Sequence, residues 1–72
     1  MEIIKANIRR EEKYGGLFVE CFVDVTYEDN SNETIFSYFP DELHFNSSEF
    51  INLTRDEAKR LCTKKDVAYL RS

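Results

Sequence analysis

The alternation of apolar and polar side chains is clearest over residues 17–28. Every second residue of that stretch, starting with Leu17, is apolar, and the positions between them mix aromatic, acidic and hydroxyl side chains. Because successive side chains of a strand point to opposite faces, the pattern predicts a strand with one buried face. A shorter alternation over 2–10 predicts a second strand. A third is predicted over 33–39, which is rich in β-favouring residues and is followed by Pro40.

The turn between the first two strands contains Tyr14-Gly15-Gly16. A turn centred on Tyr14-Gly15 sets opposite charges against each other across the strands, which is stabilising. A turn centred on Gly15-Gly16 instead opposes Glu11 and Glu20, which repel, so we prefer the first. The cross-strand pairs it predicts are Ile4–Val25, Ala6–Val23, Ile8–Cys21, Arg9–Glu20 and Lys5–Asp24.

The turn between the second and third strands falls in the polar run 29–32. Centred on Asn30-Ser31, it pairs Val25 with Phe36, Val23 with Tyr38 and Phe22 with Phe39. All three strands then agree on which face of the sheet is dry, and agreement between levels is the strongest sequence evidence for a fold.

A helical region is predicted over about 48–70. Thr54 and Glu57 have the spacing of a capping box, in which each side chain bonds the other residue's backbone N–H. Apolar residues at 58, 61 and 62 then form a helical stripe. A second possible helix start at Thr63 leaves two alternatives open, a single helix or two short helices that meet there.

The fold class that follows is α+β, in one small domain over 1–72. We predict a three-stranded antiparallel meander with one face covered by one or two short C-terminal helices. With 42% hydrophobic and 33% charged residues, the chain is too apolar for intrinsic disorder.

The charges are segregated along the chain. Residues 14–54 contain eight acidic side chains and no Lys or Arg, whereas all ten basic residues lie in the two flanks. The three segments carry +1, −8 and +3, which together give the net charge of −4. Such a field steers encounters with partners but specifies no reaction.

The face of the sheet opposite the helix is the main candidate site. Apolar residues rimmed by charge on an otherwise open face are typical of a surface that binds a protein. We therefore expect a non-enzymatic interaction module, a regulator or inhibitor, that binds another protein chain or its own copy. The alternative that 41–52 folds back over this face stays open. The predicted partner-binding residues are Phe18, Phe22, Ile35, Phe39, Glu20 and Asp24.

Two other binding functions compete with this hypothesis. Two short helices around a tight turn at Thr63 would present basic side chains to phosphates in the manner of a helix-turn-helix. The acidic middle segment would instead imitate a nucleic-acid backbone. The pI of about 4.9 weighs against nucleic-acid binding by the helix pair, since most nonspecific affinity for nucleic acid comes from contacts between basic side chains and phosphates. The predicted nucleic-acid-binding residues of this alternative are Lys59, Arg60, Lys64, Lys65 and Arg71.

Catalytic and metal-binding signatures are not found in the sequence. His44 is the single histidine, and no Gly-rich phosphate loop, HExxH or GxSxG pattern occurs. Cys21 and Cys62 fall on predicted buried faces, where a thiol packs as a small apolar group. We expect no enzyme, no catalytic residue, no metal and no cofactor. With no targeting or membrane-spanning pattern, we also expect a cytoplasmic location with both thiols reduced, no membrane contact and no small-molecule substrate.

Overall fold

The computed structural model describes residues 1–71 and, at Arg71, the backbone alone. Its strands form one antiparallel sheet in the order β1-β2-β3, and a single α-helix follows them. The predicted α+β class, the three-stranded open sheet and the C-terminal helix are therefore confirmed. In chain order the elements are β1 (Ile3–Lys13), a 3₁₀ turn (Tyr14–Gly16), β2 (Phe18–Tyr27), β3 (Asn32–Tyr38), a second 3₁₀ turn (Ser47–Phe50) and α1 (Arg55–Arg71).

The predicted register of β1 against β2 is wrong by two residues. Ile8 lies opposite Val23 rather than Cys21, so β1 continues to Lys13 instead of ending near residue 10. The connecting loop is centred on Gly15-Gly16, both of which have positive φ angles of 68° and 92° that glycine adopts without strain. The predicted pairs Ile4–Val25, Ala6–Val23, Arg9–Glu20 and Lys5–Asp24 are displaced in the same way.

The start of β1 contains a local irregularity that changes which isoleucine is buried. The register shifts between Ile3 and Lys5, and Ile3 becomes fully buried while Ile4 remains 49% exposed. The expectation that Ile4 shares the dry face with Ala6 and Ile8 is therefore wrong. Ile3 is held there by backbone hydrogen bonds to Asn52 and Leu53.

A β-bulge in β3 changes the predicted pairing with β2. The register shifts between Val23, which faces Phe36, and Asp24, which faces Thr34. One extra residue of β3, Ile35, therefore lies between the two pairs, as in a β-bulge. Ile35 is only 8% exposed and belongs to the core, so its predicted place on the open face is wrong. The predicted pairs Val25–Phe36, Val23–Tyr38 and Phe22–Phe39 are not formed.

The dry face of the sheet is covered by two different parts of the chain. The segment 40–53 contributes Phe45 and Phe50, 2% and 0% exposed, which pack against each other and against Phe36 of β3. The first half of α1 contributes the fully buried Ala58. The alternative in which 41–52 folds back over the open face is therefore wrong, because this segment covers the dry face of the sheet. Its turn is closed by a second capping box, between Asn46 and Glu49.

The C-terminal region is one helix of 17 residues, which decides between the two alternatives left open. Thr54 and Glu57 form the predicted capping box, with hydrogen bonds of 2.9 and 3.2 Å. Thr63 does not begin a second helix, because its hydroxyl donates to the carbonyl of Lys59 one turn earlier and remains inside the helix. None of residues 1–71 lies in a helix that is both long and apolar enough to cross a membrane.

Candidate protein-binding surface

The face of the sheet opposite α1 and segment 40–53 is called the open face. The molecule measures 37 × 30 × 15 Å, and the shortest dimension leaves room for the sheet and one covering layer. Among residues 1–71, therefore, nothing forms a second layer over the open face. The side chains that β1 and β2 present there are Lys5, Asn7, Arg9, Glu11 and Lys13 from β1, with Phe18, Glu20, Phe22, Asp24 and Thr26 from β2.

Phe22 lies at the centre of the open face and is half-buried. The guanidinium carbon of Arg9 lies 4.6 Å from the centroid of its ring, and Nζ of Lys13 lies 5.5 Å from the same centroid. Cations at these distances are attracted to the negative face of the ring. Phe22 is thus covered by two basic side chains, and it offers less apolar surface to a partner than the sequence predicts.

The two basic groups over Phe22 are held by carboxylates of the same face. Nε of Arg9 donates to Asp24 at 3.0 Å and Nη1 to Glu11 at 2.6 Å, and Nζ of Lys13 donates to Glu20 at 2.7 Å. The like charges of Glu11 and Glu20, which lie directly opposite each other, are each compensated by one of these cations. This arrangement explains why a register with opposed carboxylates is tolerated.

The same hydrogen bonds lower the pKa values of both β2 carboxyl groups. The Arg9 guanidinium, with a further bond from Thr34, lowers the pKa of Asp24 below its ordinary value. The bond from Lys13, with a contribution from Ser37, lowers the pKa of Glu20. Glu20 and Asp24, predicted to attract a partner, are therefore engaged within the chain.

Beyond this charged network, an apolar patch is exposed at the end of the sheet that carries the first loop. Tyr14 and Phe18 meet edge to face, with ring centroids 5.8 Å apart. Two open grooves, of about 330 and 440 Å³, share Phe18 and Phe39 as walls. The apolar patch consists of Tyr14, Leu17, Phe18 and Phe39, which are 76%, 82%, 56% and 46% exposed.

The sequence analysis found half of this patch. Phe18 and Phe39 were predicted, and the structure brings them together, whereas Phe22 is covered and Ile35 is buried. Tyr14 and Leu17 were missed because they were assigned only to the turn and to the strand's dry side. The signal that was available is the pair of apolar residues that flanks Gly15-Gly16 in an otherwise polar turn.

Two acidic side chains border the patch. Asp41 and Glu42 line the groove beside Leu17, Phe18 and Phe39. Both carboxylates are exposed, and neither has an ion pair or hydrogen bond to another described side chain. Across the patch, the remaining charges of the second groove are Lys13 and Glu20, which neutralise each other.

The basic residues of the nucleic-acid alternative are spread along one continuous helix. Lys59, Arg60 and Lys64 are exposed, but Lys65 donates to Glu49 and to the carbonyl of His44, and lies 4.3 Å from the Phe45 ring centroid. The side chain of Arg71 lies outside the described residues. The two-helix geometry that the alternative relied on is not formed, because Thr63 lies inside α1.

The other candidate chemical groups are dispersed. Cys21 is buried and Cys62 is half-buried, and both are free thiols. Burial raises the pKa of the Cys62 thiol, which lowers the thiolate fraction on which cysteine reactivity depends. Within residues 1–71, no three His, Cys, Asp or Glu side chains are grouped closely enough to hold a metal ion.

No protein-family model matches this chain, and neither does any curated protein or any solved structure.

Proposed function

We propose that this protein is a small, non-enzymatic module, a regulator or inhibitor, that binds another protein through the apolar patch. The observation that supports this function best is the clustering of Tyr14, Leu17, Phe18 and Phe39, all exposed, beside two open grooves. Contiguous apolar surface on a small domain is costly to leave in water, and such patches are often functional.

The character of these residues supports the proposal further. Aromatic side chains bring large contact areas with few rotatable bonds, and they are enriched where interfaces gain most of their affinity. The charged network around Phe22 lies beside the patch and forms a polar border. An apolar centre with a polar rim is the usual anatomy of a protein interface.

A cytoplasmic location of the protein is part of this proposal. Its support is the free state of Cys21 and Cys62, since thiols stay reduced in a reducing compartment. The non-enzymatic character is likewise part of the proposal. It is supported by the dispersion of His44 and the two thiols over a loop, a strand and the helix.

The experiment is an affinity capture from host lysate with three tagged proteins: the unchanged protein, a Leu17→Ser/Phe18→Ser variant, and a Leu70→Ser control. Leu70 is 73% exposed on α1, so the control removes exposed apolar surface at a position away from the patch. We expect one stoichiometric partner with the unchanged protein and the control, and its loss with the double variant. A partner retained by the double variant would contradict the proposed surface, and capture that depends on nucleic acid would favour the basic helix.

A further inference from the structure

The segregation of charge along the chain largely disappears in the folded molecule. Four of the eight acidic side chains in 14–54 form ion pairs with basic residues of the two flanks, at distances of 2.7 to 3.0 Å. Two more accept hydrogen bonds, Glu28 from the backbone of Glu2 and Asp29 from Ser31. The four ion pairs are Lys13–Glu20, Arg9–Asp24, Arg55–Glu33 and Lys65–Glu49.

The two acidic residues that remain are Asp41 and Glu42. They have no partner among the described side chains, and both line the groove against Leu17 and Phe18. Four carboxylates of the middle segment, including Glu28 and Asp29, have no described ion pair, and two of the four, Asp41 and Glu42, lie at the rim of the apolar patch. A partner that approaches this patch meets a negative potential, which favours positive charge next to its apolar contact.

The shape of the patch suits an anchor side chain. Phe18 and Phe39 are walls of both grooves, whose volumes are about 330 and 440 Å³. Grooves between aromatic walls accept side chains that project from a short segment of a partner, as in other modes of peptide recognition.

A second copy of this chain is a poor occupant of the patch. In a twofold dimer the same surface contributes from both subunits, so patch-to-patch contact would place four carboxylates, Asp41 and Glu42 of each copy, in one interface. Like charges brought together across an interface disfavour association. The acidic rim thus selects against self-pairing as well as for a basic partner.

We infer that the patch receives a short basic segment of a partner protein, with one aliphatic or aromatic anchor residue flanked by Lys or Arg. The anchor packs between Phe18 and Phe39, and the flanking cations pair with Asp41 and Glu42. This inference deepens the proposed function and depends on it, since it names the partner chemistry for the same surface.

The test uses phage-displayed random 12-residue peptides selected on the unchanged protein, with the Leu17→Ser/Phe18→Ser variant as counter-target. Patch-dependent peptides are expected to share an apolar anchor and a positive net charge. Their affinities are then measured by calorimetry on Asp41→Asn/Glu42→Gln and on a charge-matched control, Asp56→Asn/Asp66→Asn. We expect about five-fold weaker binding for the first variant only, as removal of two exposed ion pairs implies, and a smaller difference at high salt.

The possible outcomes separate the two proposals. Patch-dependent peptides that are neutral or acidic, or equal affinities for both charge variants, overturn the basic segment while the binding function stands. A dimer in sedimentation equilibrium that is abolished by Leu17→Ser/Phe18→Ser replaces the basic segment with a second copy. If no selected peptide distinguishes the unchanged protein from the counter-target, and lysate capture also fails, the proposed function itself is wrong.

Discussion

The guanidinium carbon of Arg9 lies 4.6 Å from the centroid of the Phe22 ring, while Nε of the same side chain donates a 3.0 Å hydrogen bond to Asp24. One side chain of β1 therefore shields an aromatic ring of β2 from water and also binds a carboxylate of β2. Aliphatic and guanidinium atoms of arginine commonly cover apolar surface in this way. The centre of the open face therefore contributes to the stability of the fold, and only the end of the face is a candidate binding surface.

Phe22 and Phe18 should respond differently to truncation. Phe22→Ala is expected to lower the free energy of unfolding by about 1–2 kcal/mol, a fraction of the cost of truncating a fully buried Phe, because its ring is half-buried. Phe18→Ala, at an exposed position, should change it by less than about 0.5 kcal/mol. Urea unfolding of both variants measures the difference. Equal decreases in the free energy of unfolding would show that the Phe22 ring is no better packed than the Phe18 ring.

Phe50 should be essential for folding. It belongs to segment 40–53 and is fully buried in the core, and Phe50→Ala is expected to cost about 3–5 kcal/mol through lost burial and a cavity. That loss approaches the whole stability expected of so small a domain, so far-ultraviolet circular dichroism should show an unfolded chain. Phe39→Ala is the matched control and should remain folded, because Phe39 lies in the exposed patch.

Lys64 and Lys65 are neighbours in the sequence, but only Lys65 is expected to contribute to the stability of the fold. Lys65→Glu should lower the free energy of unfolding by roughly 1–2 kcal/mol, since it removes the ion pair with Glu49 and the cation over Phe45. Lys64→Glu, on the exposed side of α1, should leave thermal unfolding nearly unchanged. Comparable melting temperatures for the two variants would mean that the Lys65 contacts contribute nothing. A test of nucleic-acid binding should therefore use Lys59, Arg60 and Lys64.

Stability should fall in acid. Hydrogen bonds from Arg9, Lys13 and Arg55 lower the folded-state pKa values of Asp24, Glu20 and Glu33, respectively. A group with a lowered folded-state pKa stabilises the fold above its unfolded value and loses that contribution as pH falls through the folded one.

The melting temperature should therefore stay level near neutral pH and decrease below the ordinary carboxyl values of 4.5 and 3.8. Carboxyl ¹³C shifts followed by NMR during acid titration report each group directly. Midpoints for Asp24, Glu20 and Glu33 at or above the ordinary values would contradict the described ion pairs.

The sequence predicted elements better than pairings. Strict alternation over 17–28 located β2, and the reciprocal spacing of Thr54 and Glu57 located the start of α1. The register failed because charges were matched only between directly opposed residues, whereas Arg9 reaches Asp24 on the diagonal. Long basic side chains span that distance, so opposed carboxylates are not a reliable reason to reject a register.

Two further features had no local signal strong enough to predict them. The bulge that buries Ile35 is not marked by a glycine or proline next to it, and Ile35 belongs to the core cluster. Phe45 precedes the predicted helical region and Phe50 lies in its first turn, so no helical stripe indicates their burial, which follows from tertiary contacts. The candidate site was half predicted for the same reason, since the position of Tyr14 and Leu17 depends on the true loop centre.

The backbone hydrogen bonds between Ile3 and residues 52–53 have a consequence for how the protein is made. Ile3, Phe50 and Ala58 belong to one core cluster. Ile3 of β1 can therefore pack only after residues 50 and 58 have been synthesised. Contacts between residues far apart in sequence slow folding, and during translation the early strands emerge long before their cover. The hairpin of β1 and β2 thus leaves the ribosome with its apolar face unprotected, and the core closes only after the residues up to Ala58 have followed.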